Sequence, residues 1–309
     1  MPVLTSHSFS FLSSSFPSPS LRRIHSPPTP TTPSSARASM GSPVASFPYL
    51  PPANRNLMLD LLAAVDRRLN PSLLPSTVPP GVLLFQNPQG SSHGSVDIRS
   101  GSPSSSVDFV LKSWLHCKLP GPGEMNTASL SAFLNSSTDA PHLMVELIQG
   151  GPASLVLVID LLPRRDLVLH PDYLEEFYQL TDLDSPRRDL EELRLVSPYR
   201  SPSLFVRSIL SPTAVALTVD CGEEAAAMER IISGEVGAAA KKAVAVWLER
   251  CAGGGGRPVV EEEREALERR DGLIKRKIVE TDLVANLPRM FGTEVAERVV
   301  GEIQKVFRV

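Results

Sequence analysis

Cysteine is scarce in this chain of 309 residues: Cys117, Cys221 and Cys251 are all there is. They are too few and too scattered for a disulfide framework or a zinc site, and no C-x-x-C pair could serve an iron–sulfur centre or a redox disulfide. No stretch of about 18 apolar residues free of charge occurs, so no spanning helix is expected. Basic excess is missing too. The formal net charge is −3, which argues against nucleic acid as the main partner. There is no H-E-x-x-H and no G-x-S-x-G. The glycine run Gly253–Gly256 follows no strand and carries neither a dinucleotide fingerprint nor a phosphate loop, so it reads as a linker. An enzyme with this sequence would draw its difficult chemistry from its substrate or from a partner.

Acid is absent from the first 59 residues; the first acidic residue is Asp60. The same segment is rich in serine and proline and carries Arg22, Arg23 and Arg37. Such a chain buries too little apolar surface to offset its ordering entropy. Acid-poor, serine-rich and arginine-bearing is the signature of an organelle transit peptide. Residues 1–40 are therefore read as a disordered plastid transit peptide ending near Ala38–Gly41, and residues 41–309 as a single domain. Without residues 1–40 the charge is −6.

The remainder has a globular composition, with 42% hydrophobic and 21% charged residues overall. Residues 54–69 show helical spacing at Met58, Leu61, Leu62, Val65 and Leu69, with Asn54 or Asn56 as cap and Pro71 as stop. Strand-like pieces follow at Gly81–Gln86 and at residues 107–116. His142–Gln149 and Leu155–Leu162 flank a glycine turn, which predicts an antiparallel hairpin. Pro171 opens a helix, and Leu204–Leu210 with Ala214–Asp220 reads as another hairpin. Helices are expected over Glu223–Cys251, Val260–Glu280 and Thr293–Phe307, the last capped by Thr293. Strands in the middle and helices towards the ends indicate an α+β fold, one antiparallel sheet covered by helices on both faces.

Three acids stand out. Glu146 lies inside HLMVELIQ, sharing one face with His142, Met144 and Ile148 while Leu143, Val145 and Leu147 take the other. Both faces are apolar, so burial would raise its pKa and could make it a proton donor. A pairing with arginine or a place at a sheet edge fits the pattern as well. Asp282, in VETDLVANLPRMFG, is either a second functional acid or the cap of a short turn. Asp160 precedes Pro163-Arg164-Arg165, where a salt bridge is the default expectation. His116, His142 and His170 read as structural, and Phe109 and Trp114 as core residues.

The phrases HLMVELIQGG, HPDYLEEFYQ, SLFVRSILSPT and VETDLVANLPRMFG resemble the red chlorophyll catabolite reductases of plants, a divergent branch of the ferredoxin-dependent bilin reductases. The resemblance runs over about residues 45–309. It implies an α/β/α sandwich with a central antiparallel sheet and no bound flavin, nicotinamide or metal. Electrons would come from reduced ferredoxin. The substrate would be red chlorophyll catabolite, a linear tetrapyrrole reduced at its C20/C1 double bond to primary fluorescent chlorophyll catabolite. The resemblance further implies a homodimer in the chloroplast stroma, with a minor mitochondrial pool left open, and pheophorbide a oxygenase as a further partner. The family's two functional acids match Glu146 and Asp282. Leu210 occupies the position before Ser-Pro that influences the C1 stereoisomer; one form of the family has a bulky aromatic residue there. A non-catalytic, protective tetrapyrrole carrier is the alternative of another class, and a plastid assembly factor a third. For ferredoxin docking, the basic clusters Arg164-Arg165, Arg187-Arg188, Lys241-Lys242 and Lys275-Arg276-Lys277 are candidates, with the first ranked highest.

Overall fold

Residues that are apolar on both faces of a strand need cover from both sides, and β5 (His142–Gly151) sets the architecture for that reason. The computed structural model describes residues 46–118, 123–222 and 224–309; the side chains of Ala225 and Asp282 are also outside the description. The expected transit segment, residues 1–40, lies outside the described residues. Eight strands form one sheet in the order β1-β2-β3-β4-β5-β6-β8-β7. They are β1 (Phe85–Gln86), β2 (Ser92–Ser100), β3 (Val107–Lys118), β4 (Glu124–Leu134), β5, β6 (Ser154–Leu162), β7 (Val196–Pro198) and β8 (Val215–Asp220). Every pairing is antiparallel. The hairpin expected around Gly150 and Gly151 is present, and it places β5 and β6 in the middle of the sheet.

Leu143, Val145 and Leu147 face α1 (Pro52–Leu69) and α7 (Gly237–Arg250), joining Leu61, Val244 and Trp247 in one apolar cluster. Met144 and Ile148 face the other way. Their cluster takes in Ile274 of α8 (Glu261–Ile278), Leu287 of α9 (Ala285–Phe291) and Ile303 of α10 (Thr293–Phe307). The expected three-layer arrangement is thus observed, with a core on each side of the sheet.

Several local expectations fail. Leu204–Ile209 is a helix, α5, and not a strand; the Ser203 hydroxyl accepts from the Val206 N–H at 3.3 Å and caps it. Only the second half of that supposed hairpin is a strand, β8, and it pairs with β6 and β7. Gly81–Gln86 divides into a short helix, α2 (Pro80–Leu83), and the two residues of β1. Apolar runs of six or seven residues carry no decisive period, and neighbours decide between helix and strand. Strands β2 and β4 went unread because SHGSVDIRS and EMNTASLSAFL are rich in small polar residues. Their pairing comes from adjacent strands rather than from propensity. The helix caps differ too. Helix α1 opens on Pro52 without a side-chain cap, while Asn54 reaches Gln149 at 3.2 Å. Thr293 is the first residue of α10, and the cap position is taken by Gly292 at φ 80°.

Buried charges fasten α8 to the sheet. The Arg164 guanidinium donates to both Asp271 oxygens, at 3.3 and 2.5 Å. His142 accepts the Leu134 N–H on Nδ1 at 3.0 Å, so its proton sits on Nε2 and is donated to Asp271 at 3.0 Å. Burial outweighs the attraction of Asp271 and lowers the His142 pKa to about 4. One turn on, Lys275 binds Asp108 at 2.6 Å. These contacts overturn the leading candidate for ferredoxin docking. Arg164 is 2% exposed, and Arg165 is held by Asp139 and Glu263 at 2.5 and 2.6 Å.

Asp271→Ala would strand a buried guanidinium and an imidazole N–H. It should destabilise the fold by about 3–5 kcal/mol, read from denaturant midpoints. His142 is protonated in the unfolded chain near pH 6.5 but in the fold only near pH 4. The stability that His142 contributes should therefore be lost as pH falls through that window, read as the difference between the wild type and the non-titrating His142→Gln.

Candidate active site

Alternation along three adjacent strands brings one polar stripe to the face that α8, α9 and α10 cover. From β4 come Thr127, Ser129 and Ser131; from β3 comes Ser113; from β5 comes Glu146. Ser129 stands directly opposite Glu146 on one side and opposite Ser113 on the other, so the three form a row across the strands. Around this stripe the wall is apolar. Leu111, Leu115, Phe133, Met144 and Leu162 extend it on the sheet, and Phe85 and Val96 close one end. Ile278, Leu283, Leu287, Val299, Ile303 and Phe307 roof it. The cavity encloses about 920 Å³ including its open mouth. Small-molecule sites are lined in this way, mostly apolar with a few placed polar groups.

Glu146 is the one ionisable group among the described residues of the lining. It is 7% exposed, and its Oε2 has no hydrogen-bond partner. Burial raises its pKa to about 8, against a smaller downward pull from the Ser129 hydroxyl. The group is thus protonated at neutral pH and can give a proton to whatever fills the cavity. No arginine pairs with it and β5 is no edge strand, so of the roles open from sequence the buried acid is the one seen.

The other expected site residues are placed differently. Asp282 lies in a π-helical turn, Val279–Val284, between α8 and α9. Its neighbour Leu283 lines the cavity, while its own side chain is outside the described residues. Leu210 follows α5 in extended conformation and packs against the cavity-side cluster, but the wall is formed without it. Asp160 forms no salt bridge. It accepts from the Ser211 N–H at 2.7 Å and the Ser211 hydroxyl at 2.5 Å, and burial lifts its pKa to about 7. The arginine it was expected to meet is taken by Asp271. His142 and His116 are structural, the latter bonded to Asn126 at 2.8 Å. Phe109 stacks on Phe133 and Phe307, both cavity residues, at 4.9 Å. Sequence reading missed the hydroxyl row. The alternation Thr127, Ser129, Ser131 was a usable signal once residues 124–134 were taken as a strand.

A carboxyl that ionises near pH 4.5 unfolded and near pH 8 folded makes the fold less stable as pH rises between those values. Glu146→Gln does not titrate. Its stability relative to the wild type should therefore climb with pH, by about 3 kcal/mol between pH 4.5 and 7. Unfolding midpoints measured across that range check the slope.

A family model described as red chlorophyll catabolite reductase matches residues 53–305. The chain is 52% identical over 265 residues to the chloroplastic red chlorophyll catabolite reductase of Arabidopsis thaliana, covering 85% of this chain and 83% of that protein. It is 45% identical over 284 residues to the chloroplastic red chlorophyll catabolite reductase 1 of Oryza sativa subsp. japonica, covering 90% and 86%. Among solved structures, phytochromobilin synthase from tomato in complex with biliverdin superimposes with a TM-score of 0.60 at 14% identity, covering 80% of this chain and 81% of that one. The last likeness concerns the fold. A family match over residues 53–305 and sequence identity of this extent place the chain in the red chlorophyll catabolite reductase family.

Proposed function

We propose that this protein reduces red chlorophyll catabolite, an open-chain tetrapyrrole, at its C20/C1 double bond to primary fluorescent chlorophyll catabolite, with electrons from reduced ferredoxin. Membership of the family supports the substrate and the reaction class. The observation that carries the reading further is Glu146: a neutral carboxylic acid with one unpartnered oxygen in a largely apolar cavity. A conjugated pigment becomes more basic with each electron it accepts, and a neutral acid beside it then supplies the proton. Two electrons and two protons complete the reduction, with Glu146 and Asp282 as the proposed donors. A passive carrier would need no such donor. The reading includes a chloroplast location, which the chloroplastic relatives support, and within it the stroma. It also includes a homodimer, no resident cofactor, and Leu210 as a residue near C1.

For ferredoxin, the basic clusters other than Arg164-Arg165 can be sorted by their partners. Arg187 and Arg188 bind Asp184, Lys241 binds Asp60, and Lys242 binds Asp182. Lys275 is buried on Asp108, and Lys277 binds Glu280. Arg276 is exposed and makes no ion pair with a described side chain. It stands on α8 two residues before the cavity residue Ile278, which favours docking on this helix.

Anaerobic turnover with reduced ferredoxin tests the reaction. Glu146→Gln and Asp282→Asn should each slow it at least about tenfold with folding kept, and wild-type rates in both would remove the donor assignment. Wild-type activity should fall as pH rises through about 8, where Glu146 loses its proton. Arg276→Glu should raise the apparent ferredoxin KM at low salt, with a difference that shrinks at ionic strengths where the screening length is about 8 Å. A salt-independent loss would speak against docking there.

A further inference from the structure

The proton donor does not stand alone in the cavity floor. Antiparallel pairing sets Ser129 of β4 directly opposite Glu146 of β5, and both side chains project into the cavity. Cβ atoms so placed are about 4.5–5.5 Å apart, within reach of a hydroxyl-to-carboxyl hydrogen bond. That bond is made. The second carboxyl oxygen, Oε2, is buried and without a partner. We infer that Ser129 is the positioning residue of the donor: its hydroxyl, set opposite on the neighbouring strand, holds the Glu146 carboxyl in place in the cavity floor.

This inference rests on the proposed reduction, and it assigns Ser129 a part in the proton step. In that step the carboxyl O–H bond of Glu146 breaks and its electron pair stays on the carboxylate. A bond to hydrogen forms on the pigment that ferredoxin has reduced, and ferredoxin leaves oxidised. Negative charge thus develops on Glu146 as the proton departs. A hydrogen bond to an ionised oxygen is about twice as strong as one to a neutral group. The Ser129 hydroxyl therefore stabilises the transition state more than the ground state, which is the condition for raising the rate. The described roof residues Ile278, Leu283 and Leu287 carry no side-chain donor.

The other buried titratable groups on β5, β6 and α8 are bonded elsewhere. Asp160 on β6 is bonded to Ser211, and His142 on β5 to Asp271. Asp108 on β3 and Lys275 on α8 bind each other, and Asp271 binds Arg164. Asp282 stands in the turn after α8. Ser129 is the one described hydrogen-bond partner of the Glu146 carboxyl.

The test separates Ser129 from the reaction it serves. Without pigment, infrared titration follows the protonated carboxyl band of Glu146, identified by its loss in Glu146→Gln. Ser129→Ala should move the midpoint up by about one pH unit, the size of a lost hydrogen bond to a charged group. Ser129→Thr, which keeps the hydroxyl, should restore it. Ser129→Cys, with a weaker donor, should move it in the same direction and serves if the alanine variant does not fold. With pigment and reduced ferredoxin, Ser129→Ala should lower kcat about tenfold at little change in pigment KM, and the alkaline limb of the pH profile should move up with the midpoint. Simple structural damage would lower the rate and leave the limb in place. An unmoved midpoint overturns the assignment of Ser129 whatever the turnover shows. A moved midpoint with an unmoved limb overturns it through the donor role of Glu146.

Discussion

Burial of one carboxyl group at the centre of a wide antiparallel sheet governs the rest of this protein. Glu146 sits on a strand that is apolar on both faces, so the sheet must be covered twice, and the second cover cannot close fully without filling the space above the acid. Cavity, roof helices and protonated carboxyl are one arrangement. If the helices packed flat on the sheet, Glu146 would need an ionic partner; if they lifted away, water would reach the carboxyl and return its pKa towards that of an exposed glutamate.

Three buried acids on or against the same sheet show how the neighbours decide what burial does. Asp271 meets the Arg164 guanidinium and a donating His142, and these hold it well below the ordinary carboxylate range despite desolvation. Asp160 has two donors from one residue, Ser211, and is raised to about 7. Glu146 has a single hydroxyl and is raised to about 8. Positive charge is spent on the acid that fastens α8, and withheld from the acid in the cavity. The division suits a molecule that must anchor a helix at one point and keep a proton at another.

The anchored helix is also the one that leads into the roof. After Asp271 and Lys275 are tied to the sheet, the chain passes through the π-helical turn Val279–Val284, which carries Asp282 and the cavity residue Leu283. A π-turn shifts the phase of a helix by one residue and is often found at functional sites. Here it stands between a fixed segment and the apolar lid formed by α9 and α10. The rigid contacts lie on one side of it and the cavity on the other.

Much of this was open to reading from the amino-acid sequence. The central hairpin, its two apolar faces and the odd position of Glu146 follow from alternation in HLMVELIQ alone, because a strand can present only two faces. The helices read over residues 54–69, 260–280 and 293–307 are found with small changes at their ends. Whole phrases, rather than any spacing, disclosed the family. Tertiary structure decided what short or polar segments could not encode. Leu204–Ile209 became a helix through a serine cap, and the small polar residues of β2 and β4 became strands through their neighbours. Arg164 and Arg165 looked like a surface patch, yet one is fully enclosed and both are neutralised by acids from distant parts of the chain. The row Ser113, Ser129, Glu146 exists only in strand register, since residues far apart in sequence become adjacent when β3, β4 and β5 pair. Local sequence carries the period of a segment; which charges meet, and which carboxyl remains without a cation, is fixed by packing across the sheet.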